Sequence, residues 1–212
     1  MANCLSILYV RIYFISSMKI CFATNNQNKL KEIISLVGNE HEIVSLSDIA
    51  CFEELPETCD TLEGNSLQKA NFIFEKYKIA CFADDTGLLV EALDGAPGVY
   101  SARYAGLPSD PEKNMNKLLL ALENTENRNA MFKTVITLIT ETGDQLYFDG
   151  EVAGEITYSR SGADGFGYDP IFKPKGYEIT FSEMDMSIKN KISHRGLAVK
   201  KLIQYLKSEK KA

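Results

Sequence analysis

A mixed central β-sheet flanked by helices is the α/β fold class that this sequence predicts, on three observations. Short apolar runs at 19–23 and 79–83 alternate with segments of helical periodicity. Two β-branched and aromatic stretches, 131–140 and 145–156, are separated by Thr142-Gly143-Asp144, which signals a hairpin. No internal repeat, low-complexity tract or Pro/Ser-rich linker breaks the chain, so residues 18–212 read as a single domain.

Taken in order, 19–23 reads as a buried strand. Thr24, Asn25 and Asn26 supply capping chemistry, and Leu30, Ile33, Ile34 and Val37 then recur at helical spacing. A second helix is expected over 64–77, with Leu67, Ala70, Phe74 and Tyr77 on one face. The run 79–83 reads as a strand that stops at Asp84-Asp85-Thr86-Gly87. Gly95, Pro97 and Gly98 compel a tight turn, with Tyr100, Arg103 and Tyr104 bracing it. A helix over 111–122 carries Pro in its first turn, where the missing N–H does no harm. After the hairpin, a last helix starts near Lys189 or Ser193 and ends near Leu206, its stripe being Leu197, Val199, Leu202, Ile203 and Leu206. The basic stretch 207–211 is expected to be a solvated, frayed end.

Residues 1–17 are apolar, but Arg11 interrupts them, and neither a basic leading region nor a small-residue cleavage site is visible. They are too short and interrupted to span a membrane. We read them as an N-terminal extension outside the fold, with translation starting at Met18.

The bulk numbers exclude some functions. A net charge of −6 argues against binding a nucleic-acid backbone, yet leaves room for a free nucleotide. The five cysteines are odd in number, lie in the first half and show no C-x-x-C spacing, which suits reduced thiols in the cytoplasm. Two histidines cannot make a histidine-rich metal site, so any metal should be hard and oxygen-bound, magnesium before zinc.

Four segments carry candidate chemistry. Thr24-Asn25-Asn26-Gln27-Asn28-Lys29, between strand and helix, offers backbone N–H groups, a macrodipole and a full positive charge to an anion. It also fits a plain polar cap. Glu57, in a loop, is a free candidate metal ligand, Lys69 sits where it can reach phosphate, and Glu63 reads as a helix-start carboxylate near Asn65. Asp84 and Asp85 are adjacent carboxylates on an extended backbone, so their side chains should point opposite ways. One can hold a metal while the other orients or deprotonates water. Finally, Gly165-Phe166-Gly167-Tyr168-Asp169-Pro170-Ile171-Phe172, followed by Lys189 and Ser193-His194-Arg195-Gly196, joins close-approach glycines, an aromatic face, a carboxylate and a cationic set suited to phosphate or a purine edge.

These segments, with Phe22-Ala23-Thr24-Asn25-Asn26, Phe82-Ala83-Asp84-Asp85-Thr86-Gly87-Leu88 and Gly95-Ala96-Pro97-Gly98-Val99-Tyr100-Ser101-Ala102-Arg103, occur in an order that closely resembles the inosine triphosphate pyrophosphatase family, the Ham1-like or RdgB-like house-cleaning enzymes. The likeness spans roughly residues 18–206. It implies an elongated two-lobed fold with the active site in the cleft between lobes. It also implies hydrolysis of ITP, dITP and XTP to the monophosphate and pyrophosphate, dependence on Mg2+, and a homodimer. By matching position, Thr24, Asn25, Asn26, Gln27, Asn28, Lys29 and Lys69 would hold the triphosphate, and Thr86 would touch substrate. Asp85 would be both metal ligand and water-activating base, with Asp84 and Glu57 assisting around the metal. Phe166 would stack on the base in a substrate-binding segment running through Gly167, Tyr168 and Asp169, and Lys189, His194 and Arg195 would read the purine edge. Gly64 departs from the pattern, since many members carry a second Glu there. A pyrophosphatase for modified pyrimidines is the nearest rival; a non-catalytic nucleotide sensor would be expected to lack one of Glu57, Asp84 and Asp85.

Overall fold

The computed structural model describes residues 19–37 and 41–209. The expected extension and its start at Met18 lie outside them, as do Lys210 and Lys211. In chain order the regular elements are β1 (Lys19–Phe22), α1 (Gln27–Val37), β2 (Glu42–Val44), α2 (Leu62–Tyr77), β3 (Cys81–Val90), β4 (Pro97–Gly98), α3 (Pro111–Ala121), β5 (Asn129–Ile139), β6 (Gln145–Ile156), β7 (Phe172–Pro174), α4 (Met186–Ile192) and α5 (His194–Glu209), with short 3-10 turns between them.

The strands form one mixed sheet in the order β2-β1-β3-β5-β6-β7, and β4 is a further partner of β3. β1 runs parallel to both β2 and β3, whereas the β3–β5, β5–β6 and β6–β7 pairs are antiparallel. The 131–156 hairpin is therefore as the sequence predicts, with Ile139 opposite Gln145 at its turn.

Two lobes share the long strands β3, β5 and β6. In one, Phe22 stacks on Phe82 at 4.7 Å, and both pack with Ile20, Ile33, Ile136, Ala198 and Leu202 under α1 and α5. On the opposite face Cys21, Cys81, Ala83 and Ile139 pack with Ala70 and Ile73 of α2. In the other lobe Leu88, Val90, Phe132, Ile156 and Phe172 pack with Met115 and Leu118 of α3. Burying each Ile, Leu, Val, Phe or Met among them contributes about 1.5–3 kcal/mol, which holds both ends of the strands in place.

Three expectations need correction. β3 does not stop at Ala83 but continues through Asp84, Asp85, Thr86 and Gly87 to Val90. Gly87 is no corner: a Cβ there would lie 2.8 Å from the carbonyl oxygen of Gly98, so its role is to let β4 approach. α2 begins at Leu62 behind Thr61, whose side chain accepts the Gly64 N–H, and its buried side chains are Leu62, Asn65, Ser66, Lys69, Ala70 and Ile73. Of the expected stripe Ala70 is fully buried, but Leu67, Phe74 and Tyr77 are only half-buried, because the inward face of this helix also serves a polar site. The last helical region is two helices, broken at Ser193 in extended conformation, and α5 carries on to Glu209 instead of ending near Leu206.

Candidate active site

The register of β3 explains why a site forms at its middle. β5 pairs with β3 along its whole length, from Cys81 to Val90. On the other edge β1 takes only Cys81 and Phe82, and β4 takes only Leu88 and Leu89. Asp84, Asp85 and Thr86 lie in the gap between those two partners. β1 ends just there, and the chain turns into α1 through Thr24 and Asn26. The Asn26 side chain accepts from the backbone N–H of Asn28 at 3.0 Å and of Lys29 at 3.1 Å, which confirms the cap.

A cavity of about 580 Å³ opens over this gap. It collects Thr24, Asn25, Asn26, Asn28, Lys29, Glu57, Lys69, Asp85, Thr86, Phe166, Gly167, Tyr168, Asp169, Lys189, His194 and Arg195. Residues more than a hundred positions apart thus share one wall. Gln27 and Asp84 do not line it.

The paired aspartates point opposite ways, as extended geometry requires. Asp84 is buried on the α1 and α5 side, where Lys29 Nζ lies 3.0 Å from Oδ1 and Arg195 Nε lies 3.2 Å from Oδ2. Burial by itself would raise its pKa; Lys29 and Arg195 overcome that and hold the carboxyl well below its ordinary value. Asp85 faces α2. Its Oδ2 accepts from Asn65 Nδ2 at 3.1 Å, and its Oδ1 lies 3.5 Å from Lys69 Nζ. Here burial wins over Lys69 and Lys29, so the Asp85 carboxyl titrates above its ordinary value, the direction expected of a group that must take a proton.

Lys69 Nζ also donates to Glu57 at 2.5 Å and to the Asp84 carbonyl at 2.8 Å. Burial would lower the ammonium's pKa, and Asp85 and Glu57 more than restore it. Arg103 NH1 lies 3.5 Å from Glu57, and NH2 lies 3.4 Å from the Glu57 carbonyl, so Arg103 braces the loop that carries this carboxylate.

At the other end of the cavity the half-buried Phe166 ring lies beside two cations, with Lys189 Nζ 5.1 Å and the Arg195 guanidinium 5.4 Å from its centroid. Asp169 Oδ2 accepts from the Phe166 N–H at 2.7 Å and from Lys189 Nζ at 2.8 Å. That arrangement needs glycine at 165, where φ is +82° and a Cβ would collide with the Asp169 carboxylate. The Tyr168 hydroxyl donates to the Ser101 carbonyl at 2.9 Å, tying this loop to the turn that bears Arg103. His194 is buried and stacked 4.4 Å from Phe132, and its Nδ1 has no hydrogen-bond partner. Burial and the Arg195 and Lys189 charges press its pKa well below the ordinary imidazole value, so it is a neutral ring.

Sequence reasoning missed Glu32. It is buried on α1, accepts from Lys189 Nζ at 3.0 Å, and pairs with Arg195 NH1. Its only sequence signal is its place one helical turn after Lys29, on the face that also carries Ile33. Asn65 entered the sequence reading in one set with Glu57, Glu63 and Lys69 but without a role; its contact with Asp85 comes from the fold.

Residues 20–205 match the sequence profile of the Ham1 family. The chain belongs to the Ham1 family. A dITP/XTP pyrophosphatase of Flavobacterium johnsoniae is 56% identical over 193 residues, covering 91% of this chain and 100% of that protein. One from Aquifex aeolicus is 42% identical, covering 92% and 100%. Among solved structures, the Staphylococcus aureus Ham1 protein superposes with a TM-score of 0.82 at 36% identity, covering 90% of this chain and 99% of that one. The Ham1 relationship explains why five short, separated motifs converge on one cavity, and it assigns the two-lobed mixed sheet to a known architecture.

Proposed function

We propose that this Ham1 protein hydrolyses non-standard purine nucleoside triphosphates, of the dITP and XTP kind, to the monophosphate and pyrophosphate. One observation supports the reading above the others: Asp85 and Arg195 line the same cavity, with Lys29 and Lys69 in the same wall and Phe166 against Arg195. A single nucleotide can thus meet a base-reading end and a hydrolytic end together. The relatives named dITP/XTP pyrophosphatase supply the substrate class and the bond.

The charge pattern favours a divalent cation as cofactor. Five cations, Lys29, Lys69, Arg103, Lys189 and Arg195, are ion-paired with five carboxylates, Glu32, Glu57, Asp84, Asp85 and Asp169. A triphosphate therefore finds no spare positive charge. Glu57 and Asp85 converge on one ammonium, that of Lys69, which marks a point of negative potential with hard oxygen donors. Among the described residues no group of three or more His, Cys, Asp or Glu has metal-holding geometry. Mg2+ suits that shortage, because it is ordinarily held by one or two carboxylates with waters and substrate phosphates completing its shell. Glu57 and Asp85 are the pair we assign to it, and the pairing of Asp84 with Lys29 and Arg195 makes it their anchor. When bound, the ion neutralises phosphate charge and polarises the bond to be cleaved.

The protein's own groups do the rest. Lys29, Lys69 and the α1 N-terminus hold the phosphates, Lys69 exchanging Glu57 for a phosphate oxygen. Asp85 orients and deprotonates the attacking water. Phe166 stacks on the base, and donors from Lys189, His194 and Arg195 meet a keto oxygen at purine position 6. The amino group of adenine would leave those buried donors unpaired, which is how such a site rejects ATP.

We further assign residues 18–212 to one catalytic domain, working as a homodimer in the cytoplasm. Cys21, Cys51, Cys59 and Cys81 are free thiols, in keeping with a reducing compartment. Among the described residues no helix is long and apolar enough to cross a membrane. The decisive assay incubates the protein with ITP or XTP and Mg2+ and separates the products. IMP plus pyrophosphate is expected; IDP plus phosphate, or equal turnover of ATP, would overturn the reading.

A further inference from the structure

We propose that Asn65 is a positioning residue that fixes the orientation of the Asp85 carboxylate and sets the loop bearing Glu57 against it. The inference rests on the hydrolytic reading above and adds a residue to it. Asn65 lies in the first turn of α2 with no exposed surface. Its Nδ2 donates to Asp85 Oδ2 at 3.1 Å, and its Oδ1 accepts from the Cys59 backbone N–H at 2.9 Å. The orientation of the amide follows from chemistry, since a backbone N–H can only donate and an ionised carboxylate can only accept.

Two consequences follow from that geometry. A carboxylate turns freely about its last torsion unless something holds one oxygen. Asn65 holds Oδ2, so Oδ1, on the Lys69 side, is left facing the reaction. Cys59 is two residues beyond Glu57, so the same amide spaces the two carboxylates that converge on Lys69. Few side chains can do both, because the task needs one donor and one acceptor on a short stem. Asn is a poor helix former, and packing alone would be served better by Ala or Leu at this buried position.

The test is a double-mutant cycle read by single-turnover rates with ITP. In the wild-type background we expect Asn65→Ala to lower the rate at least tenfold while KM for ITP stays within threefold. In an Asp85→Ala background, which has no carboxylate to orient, the same change should alter the residual rate less than threefold. A residue that only supports the fold would lose the same factor in both backgrounds, and that result would overturn the proposal. Asn65→Asp keeps the shape and the acceptor for Cys59 but removes the donor. It should therefore lose rate like Asn65→Ala while retaining slow amide exchange at Cys59 in the metal-free enzyme, and a wild-type rate there would also sink the idea. If the wild-type protein turns over no ITP, the functional reading falls and Asn65 with it; if it does and the two factors are equal, only Asn65 falls.

Discussion

At the scale of single residues, burial and pairing divide the work between chemically similar groups. Asp84 and Asp85 are neighbours, yet one is clamped by two cations and titrates low while the other is raised by burial. Replacing the base, Asp85→Asn, should cut kcat by about 10²–10⁴-fold while ITP still binds, measured by turnover beside calorimetric titration. Arg195 has a double task. Arg195→Ala removes a base reader and also leaves the buried Glu32 and Asp84 short of a partner. We expect the preference for ITP over ATP to shrink and stability to drop by about 3 kcal/mol, read from a substrate panel and urea unfolding. His194 gives a pH signature. Its folded pKa is depressed, so between that value and the unfolded value near 6.5 the unfolded chain binds more protons, and stability falls as pH falls through this window. The melting temperature should drop on going from pH 7.5 to 5.5, and drop less in His194→Gln; equal drops would remove His194 as the cause.

At the scale of elements, helix placement depends on backbone contacts that only a few residues permit. α5 packs on β6 at Gly150, where a Cβ would collide with the His194 carbonyl. Gly150→Ala should cost about 1–3 kcal/mol by overpacking and, by shifting the start of α5, lower kcat/KM as well. Gly64 has a similar reason: a Cβ there would lie 2.7 Å from that of Cys59. Here lies the limit of what was legible. The hairpin, the cap of α1, the start of α3 and most of the α5 stripe could be read from periodicity and turn chemistry, because they obey local rules. The extent of β3 could not. Asp-Asp-Thr-Gly has the composition of a turn, and it stays in the strand because its side chains serve a site and Gly87 admits β4. α2 misled for the same reason, since Asn65, Ser66 and Lys69 break its apolar face to reach the cavity. Where α4 ends and α5 begins was ambiguous because Ser193 carries no strong stop signal.

At the scale of the whole molecule, the long antiparallel strands hold two lobes around one cavity, and this makes five distant motifs a single site. The candidate residues themselves were readable from their types, and sixteen of the eighteen distinct ones line the cavity; Gln27 and Asp84 do not. What the sequence could not show was the pairing, above all that Glu32 holds Lys189 and Arg195 together and that Asn65 meets Asp85, because both contacts join residues at least twenty positions apart. The central claim is that one nucleotide spans this cavity from Phe166 to Asp85. A crystal structure of Asp85→Asn with ITP and Mg2+ tests it most directly. The account predicts the purine on Phe166 beside Lys189 and Arg195, with the triphosphate over Lys29 and Lys69 and its α-phosphorus facing residue 85. A nucleotide bound in the reverse sense, or outside this cavity, would contradict it.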